Sequence, residues 1–318
     1  MKYRQLGSTE IEVSALCLGT MQFGWTADEA TSFEILSAAY EAGINFIDTA
    51  DIYSRWVDGN PGGVSEEIIG RWWKQAKIPR ENLIIATKVR GMMGNPPTEG
   101  LSGKRILKMI EDSLRRLDIE YIDLYQAHWA DVDVEIEETL RAFDDLVQSG
   151  KVRKIGCSNY SGAQLREALE VSEKFGLTRY ETLQPHYSLV HRDEYERELA
   201  EVCHENGIGV IPYSPLAAGF LTGKYRRDKV AKSVRAGSVE KYFTEKNWAL
   251  LDRMDEIAAA HDATVTQVAL AWQLADPVIS SPIIGANTIA QLNDSLGAVE
   301  LMLTLNEKMN LDELSRWE

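Results

Sequence analysis

Four residues of this chain carry side chains that could share one piece of chemistry. Asp48 ends the apolar run in INFIDTADIY, Tyr53 follows in the adjoining loop, Lys88 ends the run in LIIATKV, and His128 ends the run in YIDLYQAHW. Singly, each has a plainer reading: a turn residue, a rim aromatic, a solvated strand end, a hydrogen-bonded interior histidine. Together they supply a carboxylate, a phenol, an ammonium and an imidazole, each standing on an apolar run that buries its base. A phenol titrates near ~10, too high for an efficient proton donor at neutral pH, and a nearby cation lowers that value by favouring the phenolate. Lys88 is expected to be that cation. A buried ammonium without a partner would lose its proton, so Asp48 is needed to keep it charged. His128 is then placed to hydrogen-bond and orient a substrate carbonyl. Proton donation of this kind contributes roughly 10² to 10⁴ in rate, and it is useful only where another agent supplies electrons.

Other chemistries find little support. The five histidines, His128, His186, His191, His204 and His261, include no H-x-H or H-E-x-x-H pair, and no G-x-S-x-G elbow occurs. No metal is implied. Cys17, Cys157 and Cys203 have no close spacing, which argues against a CxxC motif or a disulfide framework and for reduced, buried thiols.

The elements that must position the four residues are legible as an alternation. Short apolar runs rich in β-branched residues lie at about 15–19, 44–49, 83–89, 121–127, 152–157, 181–184, 208–212 and 281–284 and read as eight strands. Segments of helical period, such as TSFEILSAAYEAG and GAQLREALEVSEKFG, separate them. Capping boxes are expected at Thr26 with Glu29, Ser161 with Gln164, Thr264 with Gln267 and Thr288 with Gln291, and Gly43, Gly150 and Gly176 mark helix ends. Eight such units, each strand apolar enough to be buried on both faces, predict an α/β fold of the (β/α)8 TIM-barrel type, one domain over residues 1–318. A doubly wound sheet binding a dinucleotide would show G-x-G-x-x-G after its first strand, where this chain has LGTMQFG. The preceding KYRQLGSTEIEV reads as a hairpin around Gly7 and Ser8 that closes the barrel's bottom. In such a barrel, polar residues at the C-terminal strand ends are the ones to examine.

Composition narrows the function further. The 318 residues hold 34 Lys+Arg against 49 Asp+Glu, a formal charge of −15, with 44% hydrophobic residues. So acidic a surface gives no electrostatic drive toward nucleic acid or a membrane surface. No apolar run reaches the roughly 18 residues that cross a bilayer, and the opening MKYRQLGSTE lacks a signal peptide's apolar core. A soluble, cytoplasmic protein is expected. The sharpest exception to the acidity runs from Lys224 to Arg235, with six basic residues and one acidic.

These residues resemble the aldo-keto reductases, from LCLGT near the start to IIGANTIAQLNDSL near the end. Asp48, Tyr53, Lys88 and His128 match that family's catalytic tetrad in order and spacing. The resemblance implies a nicotinamide cofactor extended across the barrel mouth without a Rossmann fold, and hydride transfer to an aldehyde or ketone with Tyr53 as general acid. By the same resemblance, Gly19, Thr20, Met21 and Asp48 belong to the cofactor site. GCSNY brings Ser158 and Asn159 to the nicotinamide carboxamide, and LQPHYS adds Gln184. IPYSPLAAGFLTGKY would stack Tyr213 on the nicotinamide and wrap the pyrophosphate with Ser214, Pro215, Leu216, Gly219, Leu221 and Lys224. Gly285, Asn287, Gln291 and Asp294 would hold the adenosine end. After Gly285 the family often places a basic residue that grips the 2′-phosphate of NADP, where this chain has Ala286, Asn287 and Thr288. NADPH is therefore expected first and NADH second, with Arg226, Arg227 or another loop residue as the source of the missing charge.

Trp25, Trp56 and Trp129 follow strands one, two and four and are expected to line a wide apolar pocket that accepts varied carbonyls. The Gly- and Pro-rich RGMMGNPPTEGLSG reads as a mobile loop, and LTLNEKMNLDELSRWE as a short terminal helix. The expected partner is a small aldehyde or ketone, and a homo-oligomer is allowed. Two alternatives remain open: a cofactor-sensing regulatory protein, like the potassium-channel beta subunits of the same superfamily, with little turnover, and a non-redox barrel lyase or isomerase.

Overall fold

A computed structural model describes residues 1–94, 98–228 and 236–317. An N-terminal hairpin pairs β1 (Tyr3–Gln5) with β2 (Glu12–Ser14) antiparallel. The eight strands read from the sequence follow: β3 (Cys17–Gly19), β4 (Phe46–Asp48), β5 (Ile84–Val89), β6 (Ile122–Ala127), β7 (Val152–Ser158), β8 (Tyr180–Gln184), β9 (Gly209–Val210) and β10 (Ile283–Ile284). They form one parallel sheet in the order β10-β3-β4-β5-β6-β7-β8-β9. Its edges meet, because the Ser280 amide donates to the Val210 carbonyl and the Ile283 amide to the Pro212 carbonyl, both at 2.8 Å. The result is a (β/α)8 barrel.

Helices cross from each strand to the next on the outside. Glu29–Glu41, Val64–Ala76, Gly103–Leu117, Ile136–Gln148 and Gly162–Phe175 serve the first six strands. The helix Gly103–Leu117 shows why the sequence does this: Ile106, Met109, Ile110, Ser113, Leu114 and Leu117 recur every three or four residues and are the ones it buries. The crossover to β9 is the helix Ala200–Asn206 with the π-turn before it, while Glu245–Ala260 and Val265–Leu274 lead to β10. Ile289–Leu296 and the short terminal helix Leu305–Leu314 complete the ring.

Two separate cores result. The outer one lies between sheet and helices, whereas Cys17, Phe46, Ile84, Ala86, Leu124, Ile211 and Ile283 fill the barrel's inside. Leu6, Ile11 and Val13 of the hairpin join that inner core from below, and Tyr213 packs on it from the mouth. The hairpin is therefore a plug, as expected. All three cysteines are free and buried. No helix among the described residues is long and apolar enough to cross a membrane.

Helix capping agrees with the sequence in part. Ser161 with Gln164 and Thr264 with Gln267 form complete boxes, and Thr304 with Glu307 forms one that the sequence reading does not single out. The other two expected boxes need correction. Asp28, not Thr26, caps the helix Glu29–Glu41, because the Thr26 hydroxyl is drawn 2.5 Å from Asn287 Oδ1. Thr288 does cap Ile289–Leu296, but the Gln291 side chain accepts from the Asn287 amide at 2.8 Å instead of closing the box. Residues 95–97 of the Gly- and Pro-rich loop, and 229–235 with three of the expected basic residues, lie outside the described residues.

Candidate active site

The four polar residues converge at the C-terminal mouth. Asp48 ends β4 and Lys88 lies on β5, both with side chains toward the barrel axis and both buried. Lys88 Nζ donates to Asp48 Oδ2 at 2.6 Å, to the Thr49 carbonyl at 2.8 Å and to the Tyr53 hydroxyl at 3.2 Å. An ammonium has three protons, so this set is complete. Burial alone would depress the ammonium's pKa, yet Asp48 with Tyr53 outweighs it and holds Lys88 above its ordinary value. The expected dependence of lysine on aspartate is therefore present.

The expectation for Tyr53 needs correction. Burial acts harder than Lys88 and in the opposite direction, so that although the lysine pulls the pKa down, the phenol stands above its ordinary value. At rest the hydroxyl keeps its proton. His128 completes the group just past β6, its ring 6.0 Å from that of Tyr53 at 72°. Burial, then Lys88 and Arg90, hold its pKa well below the usual imidazole value, so it is neutral at pH 7.

The supports behind these groups escape sequence reasoning. Asp48 Oδ1 accepts from Gln184 Nε2 at 2.8 Å and from Gln126 Nε2 at 3.3 Å. Gln184, expected at the nicotinamide carboxamide, thus donates an amide proton to the aspartate. Gln126 is the register partner of Lys88 across β5 and β6. A signal for it exists: it stands two residues before His128, and residues i and i+2 of a strand share a face.

Trp25, Trp56 and Trp129 lie beside these groups in two clusters. Trp25 and Trp56 meet edge to face at 5.7 Å, and Trp56 meets Tyr53 likewise at 6.0 Å. Trp56 is 46% and Trp129 36% exposed, so one large ring beside the tyrosine and another beside His128 face solvent. Trp129 also stacks on His128.

The residues read as a cofactor site lie around the same mouth. Gly19 pairs with Asp48 across β3 and β4, and a Cβ there would come 2.6 Å from Ile283 Cγ2. Thr20 donates to the Asp48 carbonyl at 2.9 Å, and Met21 follows it, half-buried. Ser158 donates to the Gln184 carbonyl at 2.8 Å. Asn159 takes a positive φ of 56°, donates to the His128 carbonyl at 2.9 Å and accepts from the Tyr213 hydroxyl at 2.9 Å. Tyr213 has one face covered by His186 at 5.1 Å and 11°, itself backed by His191 at 3.8 Å, a pair the sequence does not suggest.

Beyond Tyr213 the backbone curls. Ser214, Ala217, Ala218 and Gly219 all have positive φ, at 54°, 48°, 54° and 96°. Three are not glycine, and such strain collects where a loop is shaped for a ligand. Pro215 is buried and Leu216 half-buried, while Leu221 is buried in the outer core. Lys224 folds over Gly219, where a Cβ would stand 2.8 Å from Nζ. A curled backbone under an ammonium fits an anionic group such as a pyrophosphate.

The adenosine end is more occupied than expected. Gly285 and Asn287 are exposed, but Asn287 holds Thr26 and Gln291, and Asp294 Oδ1 accepts from Thr264 at 2.7 Å. Arg226 forks onto Asp255, and Arg227 onto Asp252 and Glu245. Both guanidiniums are tied to the helix Glu245–Ala260.

Comparison with known proteins places nearly the whole chain in one family. The model of the Aldo/keto reductase family matches residues 15–316. The chain is 40% identical over 310 residues to an uncharacterised oxidoreductase, YrpG, of Bacillus subtilis, covering 95% of this chain and 92% of that one. It is 34% identical to a putative aryl-alcohol dehydrogenase of Schizosaccharomyces pombe, covering 98% and 95%. It is 33% identical to the versiconal hemiacetal acetate reductase of Aspergillus parasiticus, covering 98% and 96%.

Proposed function

Since the chain belongs to the Aldo/keto reductase family and is therefore an NAD(P)H-dependent oxidoreductase acting on carbonyl compounds, we propose that Tyr53 is its proton donor and NADPH its first cofactor, with NADH second. The bound nicotinamide supplies the hydride. The observation that carries the reading is the Lys88 ammonium shared between Asp48 and the Tyr53 hydroxyl at the mouth of a barrel sealed below.

The raised pKa of Tyr53 fits the role. A phenol that holds its proton at rest gives it up only when the carbonyl oxygen before it becomes an alkoxide, a far stronger base. Lys88 then meets the phenolate with a charge already in place, without reorganisation. His128 is neutral and Nδ1 is buried without a partner among the described residues, so its single proton is better placed on Nε2, where it donates to the carbonyl oxygen. Trp25, Trp56 and Trp129 exclude water and receive the apolar part of an aldehyde or ketone.

The stacking aromatic for the nicotinamide is Tyr213, with Ser158, Asn159 and Gln184 near the carboxamide and the curl from Ser214 to Lys224 around the pyrophosphate. We place the protein in the cytoplasm as one functional unit over residues 1–318. The test is Tyr53→Phe, assayed on a panel of aldehydes and ketones with both reduced cofactors. Turnover is expected to fall roughly 10² to 10⁴-fold while cofactor affinity by fluorescence titration holds. Near-normal turnover overturns the role, and tight cofactor binding with negligible wild-type turnover across the panel would favour a cofactor sensor.

A further inference from the structure

The ring of Trp129 lies on the ring of His128 with centroids 3.8 Å apart and planes 16° from parallel. The backbone of His128 is fixed on both sides: its amide donates to the Val89 carbonyl and its carbonyl accepts from Asn159, each at 2.9 Å. The imidazole is held differently. A functional imidazole is ordinarily oriented by a hydrogen bond to the nitrogen that does not react. Here Nδ1 is buried with no partner among the described residues. His261, by contrast, has Nε2 2.9 Å from Glu307. What bounds the His128 ring is aromatic: Trp129 on its face, Tyr53 at 6.0 Å toward an edge.

We propose that Trp129 is a positioning residue that clamps the imidazole of His128 in plane and keeps it dry, doing by stacking what a hydrogen-bond partner does elsewhere. The inference rests on the reading of His128 as the group that orients the carbonyl. It goes beyond lining the pocket, since one face of the indole is taken up by the imidazole and only the other faces a substrate. Trp129 is 36% exposed and His128 7%, so the indole is the lid between that ring and solvent.

The charged and titratable groups facing the ring are Lys88 and Arg90 from the β5 side, with Tyr53 from the loop after β4. Asp48 is held by Lys88, and Arg90 has Glu99 at 3.7 Å. Both cations disfavour a proton on His128. Removing the lid lets water solvate the protonated ring and raises the affinity of the imidazole for a proton.

The experiment is a histidine NMR titration of the whole chain with saturating NADPH, beside the pH profile of kcat/KM, for wild type and for Trp129→Phe, Trp129→Leu and Trp129→Ala, with His128→Gln to assign the resonance. In wild type and Trp129→Phe the His128 signal should stay that of a neutral ring well below the usual imidazole range. In Trp129→Ala it should titrate toward the ordinary value of about 6.5. A matching acidic limb should then appear in kcat/KM, and kcat should fall about tenfold, a fraction of what proton-transfer groups contribute. Trp129→Leu, dry but without a ring to stack, should lose kcat without gaining the limb. An unchanged titration and kcat in both Trp129→Ala and Trp129→Leu would overturn the clamp. A titration in Trp129→Ala with no limb would uphold the clamp and overturn the role of His128, which separates the two claims.

Discussion

Two buried carboxylates stand at opposite ends of this barrel, and their partners differ in kind. At the base, Asp123 on β6 accepts from Arg80 at 2.6 Å and the Ile85 amide at 2.9 Å on one oxygen, and from Arg153 at 2.9 Å on the other. At the mouth, Asp48 accepts from one lysine and two glutamine amides. The base is closed, because its donors are two guanidiniums that stay charged at any working pH and a backbone amide, none of which ends on a group that can react. The mouth is open at one point. Of the three acceptors on Lys88, two are sealed in, and the third is the Tyr53 oxygen at the edge of the pocket. A buried ion pair becomes chemical when its cation is a lysine and one of that lysine's bonds ends on a group that can lose a proton.

That contrast can be broken most forcefully with Lys88→Met. It strands Asp48 in the interior, so stability should drop by about 3–5 kcal/mol in denaturant melts, and turnover should fall by at least the loss in Tyr53→Phe. Adding Asp48→Leu should restore much of the stability and none of the activity; recovered turnover would dismiss the pair as mere scaffold. Asp123→Asn should lower stability by about 1–3 kcal/mol and leave kcat within about twofold, measured on the same melts and assay. A large loss of kcat there would erase the distinction between the ends.

A smaller effect should come from pH. His186 is held at about 3 by burial, then by His191 and Lys241, and His128 is also depressed. Above about 6.5 both rings are neutral folded or unfolded; below it the unfolded chain gains protons that the folded chain refuses. Stability should therefore fall progressively from about pH 6.5 toward about 3, and His186→Phe should flatten part of that slope in urea melts. Least of all should follow from Arg115→Ala, which removes an exposed helical pair with Asp112: under about 0.5 kcal/mol by thermal melting.

Much of this was legible because polar residues that end apolar runs cannot be explained by the runs. Asp48, Lys88 and His128 announced themselves that way, and eight strands were visible for the same reason. What stayed hidden depends on contacts between distant segments. Thr26 reads as a cap until Asn287 takes its hydroxyl. Nothing in the local sequence singles out Glu66 and Arg116, yet Glu66 is fully buried, bonded to Arg116 at 2.6 Å and to Thr87 at 2.6 Å. The acidity of Tyr53 turned on a balance of burial against charge, and sequence supplies the charge without the depth.

The N-terminal plug has a consequence for biosynthesis. Arg4 is gripped by the carbonyls of Leu274 and Ile279, the Gly7 amide donates to the Ser280 hydroxyl, and β3 bonds to the segment just before β10. The plug and β3 are thus sealed only once the segment from Leu274 to Ile283 has been made. Until that segment emerges the seam partner of β3 does not exist, and an apolar strand edge stays open. Crowded expression should find its weak point in that interval, before any weakness shows in the finished enzyme.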